Sequence, residues 1–170
     1  LAGEEIQKIY KNILGNKTEA INLKNSILEN IIIDEKYIDS VLKNIFINKK
    51  IKISIDAGNG IAGPVAIKIF KKLGLEIIDL YCDVDGNFPN HHPNPSDPKN
   101  LVDLIISVKK NKCDLGIAFD GDGDRCLIID NSGEVLWPDR QLMIFSKNIL
   151  SINKNQKIVF DVKSSKDLPK

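Results

Sequence analysis

The sequence is poor in cysteine and contains no long apolar run. Its three cysteines, Cys82, Cys113 and Cys126, show no C-x-x-C spacing. Neither a disulfide framework nor a structural zinc site is therefore expected, and the thiols are predicted to be reduced. No apolar run approaches the roughly 20 residues that cross a bilayer, and the first residues lack the charged and then apolar pattern of a signal peptide. These absences predict a cytoplasmic protein with no membrane contact.

An excess of charge of either sign is also missing. The 24 basic and 23 acidic residues leave a formal charge of +1, which argues against a nucleic-acid-binding surface and against nucleic acid as a partner. Apolar residues make up 42% of the chain and charged residues 28%, as in a globular protein. The chain begins with leucine and stops just after a strand-like run, so we expect a piece of a longer protein.

Helical and strand-like periodicities alternate along most of the chain. Residues 16–33 show no clean periodicity and are interpreted as a connection, whereas residues 83–98, named here the proline loop, are rich in proline and asparagine. The pattern predicts an α/β fold, a layered mixed sheet flanked by helices, with functional loops at the carboxyl ends of strands. The predicted helices span residues 6–15, 35–46, 63–72, 99–110 and 138–150, and the predicted strands span residues 51–55, 75–80, 114–119, 126–129, 134–136 and 158–160. Two helices have a predicted buried face, made of Tyr37, Ile38, Val41, Leu42 and Ile45 in the second and of Leu142, Phe145 and Ile149 in the last.

Three aspartates at alternate positions follow the apolar residues 115–119. Asp120, Asp122 and Asp124 are separated by single glycines, and Arg125 follows them; these residues, 120–125, are named here the acidic loop. Glycine lets the backbone fold tightly enough for the carboxylates to converge, and their repulsion is costly without a counter-ion. Hard oxygen ligands suit Mg²⁺ rather than zinc. The loop therefore predicts a magnesium site, with a solvated acidic turn as the simpler alternative.

An EF-hand also begins with aspartates at alternate positions, but it needs glycine at position six and glutamate at position twelve. Arg125 and Asn131 occupy those places, so the EF-hand is rejected. The guanidinium of Arg125 can hold two oxygens of a phosphate, or it can only balance the aspartates. A metal beside an arginine suits a transferring phosphoryl group, and Arg125 is therefore the candidate catalytic residue.

Three other features carry weaker signals. His91 and His92 are adjacent in an extended segment, so their side chains point to opposite faces and an ordered structural role is expected rather than a shared metal ion. The turn at residues 56–60 lacks the glycine spacing of phosphate-binding loops and is interpreted as a tight connection from strand to helix. Cys126 is expected in the core of a strand.

Five short segments together resemble one known family. The chain is similar to the α-D-phosphohexomutase superfamily, particularly its phosphomannomutase/phosphoglucomutase branch, and order and spacing agree over roughly residues 50–170. The six residues of the acidic loop are the most specific part of this resemblance. The matching segments are 56–63 (DAGNGIAG), 84–93 (VDGNFPNHHP), 118–125 (AFDGDGDR), 137–140 (WPDR) and 160–163 (FDVK).

The resemblance implies four domains around a central cleft. Residues 1–32 would be the tail of domain one and a linker, residues 33–136 domain two, and residues 137–170 the start of domain three. By resemblance, Asp120, Asp122 and Asp124 take the three protein ligand positions of the family's Mg²⁺, and a phosphoserine of domain one supplies the fourth. Arg125 matches the family arginine beside the phosphoserine and the substrate.

The implied activity is the interconversion of hexose 1-phosphate and hexose 6-phosphate, with mannose or glucose phosphate as substrate, through a phosphoserine and a bisphosphate intermediate. The family's Ser-His-Asn-Pro motif does not occur in this sequence, so the chain alone is expected to be inactive without domains one, three and four. Two alternatives stay open. One is a magnesium-dependent phosphatase of the haloacid dehalogenase type, with Asp120 as nucleophile, and the other is a non-catalytic module that binds divalent ions.

Overall fold

The computed structural model describes residues 3–15, 27 and 29–169. By the contacts within it, the chain divides into two compact units, Leu1–Ile33 and Asp34–Lys170. The two units are described separately below.

The first unit contains one described helix. Helix α1 spans Gly3–Leu14, in agreement with the predicted amphipathic helix that ends near Gly15. Most of the predicted connection, residues 16–26 and 28, lies outside the described residues. No helix in the described part of the chain is long and apolar enough to cross a membrane.

The second unit alternates helices and strands in the order that the sequence predicts. Its helices are α2 (Asp34–Leu42), α3 (Ala62–Lys72), a 3₁₀ helix (Pro98–Leu101) that leads into α4 (Val102–Asn111), and α5 (Pro138–Ile152). Its strands are β1 (Lys52–Asp56), β2 (Glu76–Leu80), β3 (Leu115–Phe119), β4 (Cys126–Asp130) and β5 (Val135–Leu136).

The strands form one mixed sheet in the order β2-β1-β3-β4-β5, which confirms the predicted fold class. β1 runs parallel to both β2 and β3, while β4 is antiparallel to β3 and to β5. Since the carboxyl ends of parallel strands share one edge of a sheet, the segments after β1, β2 and β3 meet there. These are the 56–60 turn, the proline loop and the acidic loop.

Helices cover both faces of the central strands. Ile53 and Ile55 of β1 pack in one apolar cluster with Phe70 of α3, whereas the alternate residue Ser54 bonds with the Ser107 hydroxyl of α4, at an Oγ–Oγ distance of 2.8 Å. Side chains alternate between the two faces along a strand, so α3 and α4 lie on opposite sides. β1 is therefore buried on both faces, and this fixes the position of its last residue.

Helix α2 is shorter than predicted. It ends at Leu42 rather than near residue 46, and of the predicted apolar face only Ile38 is fully buried, while Tyr37 and Ile45 are exposed. The extension would have run through Asn44, and asparagine favours turns over helix interiors because its side chain competes for backbone hydrogen bonds. The apolar spacing continued past the point at which the backbone left the helix.

Two predictions in the last 35 residues are wrong. Residues 158–160 form no strand, and Val159 is 91% exposed; an apolar run becomes a strand only by pairing with a sheet edge. On α5, the residues expected to face inward were Leu142, Phe145 and Ile149; Leu142 is partly buried, but the other two are exposed. Instead the helix buries Gln141 and Ser146, and Gln141 donates from Nε2 to the Leu136 carbonyl.

Candidate metal centre

The acidic loop is a tight connection between β3 and the antiparallel β4. Phe119 pairs with Cys126 at the end of the ladder, and the loop is closed by bonds from the Asp120 amide to the Arg125 carbonyl and from the Gly123 amide to the Asp120 carbonyl. Gly123 has φ +75° and packs against Ala62, where a Cβ atom would lie 2.9 Å from the alanine methyl. Of the two glycines predicted to permit a tight turn, Gly123 adopts the left-handed conformation that glycine allows.

The loop brings the three aspartates together. Each of Asp120, Asp122 and Asp124 offers one carboxylate oxygen, and these oxygens lie within 4.8 Å of one another. Asp120 is 1% exposed, while the other two side chains are open to solvent. Three converging carboxylate oxygens are a donor set that fits a hard divalent cation such as Mg²⁺. The geometry is therefore compatible with the predicted metal site.

Arg125 is held against Asp120. Its Nε donates to Asp120 Oδ2 at 2.6 Å and its backbone amide donates to Oδ1 at 3.0 Å. The same Nε lies 3.7 Å from Asp124 Oδ1, and Nη1 donates to Asn94 Oδ1 at 3.4 Å. The side chain is still 56% exposed. Arg125 thus balances Asp120 and also presents its guanidinium at the surface of the cluster.

The charges in the loop shift the pKa values of Asp120 and Asp124 in opposite directions. Burial of Asp120 works against its ionisation, but the hydrogen bonds and the charge of Arg125 outweigh this effect and lower the pKa of Asp120. The negative charges of Asp122 and Asp120 raise the pKa of Asp124. One aspartate is therefore satisfied within the protein, whereas the outer two crowd like charges that a cation would relieve.

A second charged pair, which sequence reasoning missed, lies at the same edge of the sheet. Asp56, the last residue of β1, is 1% exposed. Both of its carboxylate oxygens lie within 3.2 Å of His91 Nε2, and Oδ1 also accepts from the Gly58 amide. His92 instead is exposed and meets Phe88 edge to face. A strand buried on both faces that ends in aspartate was the available signal, because such a carboxyl needs a partner.

The two cysteines near this edge of the sheet differ in burial. Cys126 was expected in a strand core; it lies in β4 but at the end of the ladder beside the acidic loop, where it is exposed. Cys82 is buried at the end of β2, and burial raises the pKa of its thiol to about 12. Only a thiolate is a strong nucleophile, so Cys82 is inert at neutral pH.

The sequence and the fold match those of a known family. A sequence model described as "Phosphoglucomutase/phosphomannomutase, alpha/beta/alpha domain II" matches residues 35–133, more than half of the chain. The chain therefore belongs to the α-D-phosphohexomutase superfamily, in its phosphoglucomutase/phosphomannomutase branch. This membership argues against the haloacid dehalogenase alternative.

Individual relatives carry related names. The chain is 44% identical over 168 residues to a phosphomannomutase/phosphoglucomutase of Pseudomonas putida, covering 99% of the chain and 36% of that protein. It is 44% identical over 166 residues to a phosphoglucomutase of Neisseria meningitidis, covering 98% and 36%. A crystal structure of a phosphoglucomutase/phosphomannomutase family protein from Burkholderia thailandensis superposes with a TM-score of 0.86 at 40% identity, covering 99% and 36%. The chain spans about a third of the length of these relatives.

Proposed function

We propose that these 170 residues are the central, metal-binding portion of a longer phosphohexomutase. Residues 1–32 are the tail of a preceding domain, residues 33–136 form the domain that carries the acidic loop, and residues 137–170 begin the next domain. The family match over residues 35–133 and the greater length of the relatives support this division. The remaining domains of the same protein supply the phosphoserine and the rest of the substrate site.

The observation that carries this proposal is the convergence of three carboxylates beside an arginine at the carboxyl edge of the sheet. Asp120, Asp122 and Asp124 would hold Mg²⁺, which as a Lewis acid polarises a phosphoryl oxygen and neutralises charge. Asp120 also fixes Arg125 through two hydrogen bonds. The exposed guanidinium then orients the oxygens of an incoming phosphate, because its planar donors match that geometry.

The reaction is the interconversion of hexose 1-phosphate and hexose 6-phosphate. A phosphoserine gives its phosphoryl group to the sugar hydroxyl, the bisphosphate reorients, and the other phosphate returns to serine. During both transfers the three aspartates hold the metal ion and Arg125 orients the phosphate oxygens. No residue of this chain itself becomes phosphorylated. Without the serine domain the chain alone turns over no substrate.

A coupled assay of the full-length protein tests the proposal. Glucose 1-phosphate and mannose 1-phosphate are supplied separately, and formation of the 6-phosphate is followed with and without EDTA. We expect turnover that EDTA abolishes and that excess Mg²⁺ restores. The ratio of kcat/KM for the two sugars then defines the substrate preference.

The Asp122→Asn variant separates the proposal from the non-catalytic alternative. Its loss of a metal ligand should reduce mutase turnover by more than about 100-fold, since even partners outside the ligand shell cost 10–100-fold. Asp79→Asn, at an exposed position of β2, is the matched control and should keep full turnover. Unchanged turnover of Asp122→Asn would leave only an ion-binding module, and a phosphate trapped on Asp120 would indicate the phosphatase.

A further inference from the structure

The Asp56–His91 pair satisfies both nitrogens of a half-buried imidazole. His91 Nε2 lies 3.1–3.2 Å from the two Asp56 oxygens, and Nδ1 lies 3.0 Å from the His92 carbonyl oxygen. A carbonyl and a carboxylate are both acceptors, so the arrangement satisfies both N–H groups of a protonated His91 ring when Asp56 is ionised. The geometry therefore favours an imidazolium–carboxylate pair, and the two side chains are only 17% and 2% exposed.

The His92 carbonyl connects this pair to the acidic loop. The same oxygen that accepts from the His91 ring also accepts from the backbone amide of Asn94 at 2.7 Å. The Asn94 side-chain oxygen in turn accepts from Arg125 Nη1. A short, continuous path of polar contacts thus runs from the end of β1, through the proline loop, to the candidate catalytic arginine.

The proline loop also packs directly on both neighbouring segments. A Cβ atom at Gly58 would lie 3.0 Å from Pro93 Cα and 3.2 Å from the His91 ring, and one at Gly121 would lie 3.3 Å from Pro93 Cγ. Pro93 is therefore wedged between the 56–60 turn and the acidic loop. The segment that follows His91 therefore touches the acidic loop at two points, at Gly121 through Pro93 and at Arg125 through Asn94.

We propose that Asp56 and His91 are positioning residues, which hold the proline loop so that Asn94 orients the Arg125 guanidinium. His91 acts through Asn94 and touches none of the three aspartates proposed as metal ligands. The consequence for turnover rests on the proposed function, whereas the orientation of Arg125 does not. Misplacement of a catalytic group by about 1 Å can cost about 100-fold in rate, so the path has a measurable effect.

Kinetics of full-length variants test the catalytic part. His91→Ala removes both contacts of the ring, and Asn94→Ala removes the side-chain contact with Arg125. His92→Ala is the matched control, because it removes an exposed side chain and keeps the backbone carbonyl that takes part in the path. We expect kcat to fall by about 10-fold or more for the first two variants, with a smaller change in KM, and to stay within about twofold for the control. His91→Gln, which can still donate to Asp56, should recover part of the loss.

A double variant tests whether the two residues act through one path. If His91 works through Asn94, the combined His91→Ala and Asn94→Ala variant should lose little more than either single variant, because effects along one path are not additive. Equal effects of His91→Ala and His92→Ala on kcat, or fully additive losses in the double variant, would overturn the proposal. If His91→Ala does not fold, His91→Gln and Asn94→Ala decide the same question.

A second readout needs no enzymatic activity. In the full-length protein labelled with ¹⁵N-arginine, the Arg125 Nε–H resonance is identified as the signal absent from Arg125→Lys. We expect this resonance to shift or broaden in His91→Ala and Asn94→Ala but not in His92→Ala. An unchanged resonance in both variants refutes the positioning pair. If the wild-type protein shows no mutase turnover but the resonance responds as expected, the proposed function fails and the positioning pair stands.

Discussion

The acidic loop and the 56–60 turn with its proline loop lie side by side at one edge of the sheet, yet they handle buried charge in opposite ways. Asp56 is paired with the His91 ring and with the Gly58 backbone amide. Asp120 is paired with Arg125, but Asp122 and Asp124 place two more carboxylates beside it. The carboxylate of the first region is paired within the protein, whereas the second region keeps two further carboxylates close to the paired one.

Under the proposed function, this difference separates a supporting region from the region that binds the metal ion. A region whose polar groups are all paired gains nothing by recruiting an ion, and its substitution should destabilise the fold. A region with surplus like charge should become more stable when a charge is removed and should lose its ligand as a result. Substitutions on the two sides are therefore expected to change stability with opposite signs.

The largest expected effect comes from Asp124→Asn. Mg²⁺ affinity of the full-length protein, measured by titration calorimetry, should fall by more than about 100-fold, since even residues outside the ligand shell cost 10–100-fold. The negative neighbours raise the pKa of Asp124, so the folded state favours its protonated form and the ionised form is destabilising above that pKa. At pH 7 without metal, Asp124→Asn should therefore melt slightly higher than wild type.

Asp79→Asn again serves as control, because it removes one exposed aspartate from β2 rather than from the acidic loop. It should change neither Mg²⁺ affinity nor the melting temperature. A metal-free Asp124→Asn protein that melts below wild type would contradict the idea that the loop carries surplus charge.

A contact between the two regions gives the next effect. Gly60 belongs to the 56–60 turn, and a Cβ atom there would lie 2.8 Å from the Gly121 carbonyl oxygen and 2.9 Å from Gly121 Cα. Both are backbone atoms, so Gly60→Ala forces the acidic loop away and should reduce the free energy of unfolding by about 1–3 kcal/mol. Urea denaturation of the chain measures this loss.

The matched control is Gly86→Ala in the proline loop, where an added Cβ would meet no atom within 4 Å. Its unfolding midpoint should equal that of wild type. If Gly60→Ala and Gly86→Ala had the same midpoint, the turn and the acidic loop would not be in the tight contact described here.

The pairing of Asp56 with His91 predicts that the stability of the fold depends on pH. Burial opposes protonation of His91, but the His92 carbonyl and the charge of Asp56 outweigh it and raise the pKa of His91. A raised folded-state pKa means that the stabilisation is fully present below the ordinary value of 6.5 and is lost as the pH rises through the folded value. Burial also raises the pKa of Asp56 above its ordinary value.

His91→Gln should therefore cost about 1.5–3 kcal/mol at pH 6, as for a hydrogen bond to a charged group, and about 0.5–1.5 kcal/mol once wild-type His91 is neutral. The difference between the urea midpoints of wild type and His91→Gln should therefore be smaller at pH 8.5 than at pH 6. Tyr81 meets the His91 ring edge to face, and the charge of Asp103 also acts on the pKa of His91. In a Tyr81→Phe background, His91→Gln should still cost less stability at pH 8.5 than at pH 6, because Asp56 and the His92 carbonyl stay in place. A difference in stability between wild type and His91→Gln that grows with pH would contradict the proposed charge pairing of Asp56 and His91.

Sequence patterns predicted the elements of the second unit because its buried strands and helices are long enough for periodicity to be read. They also predicted the convergence of Asp120, Asp122 and Asp124, since alternation, glycine spacing and a preceding apolar strand are all local features. The pattern could not reveal that His91 pairs with Asp56, 35 residues away. That pair depends on how the proline loop folds back over the sheet.

The errors have a common physical origin. Phe145 and Ile149 follow helical spacing, and residues 158–160 have strand-like composition, but such signals do not say what surface an element meets. Ser146 is buried on α5, against the expectation from its polarity. Burial is decided by tertiary packing, and near the end of the chain that packing departs from the local pattern.

The smallest expected effect tests the corrected position of Cys126. This cysteine begins β4 next to the acidic loop and is exposed, whereas Cys82, beside the 56–60 turn, is buried with Sγ 3.3 Å from the Leu80 carbonyl oxygen. Cys126→Ser should change the free energy of unfolding by less than about 0.5 kcal/mol, and Cys82→Ser should cost more. Maleimide labelling of the folded chain should modify Cys126 first. Faster labelling of Cys82 would mean that the supporting region opens more readily than the binding site, which would reverse the comparison between them.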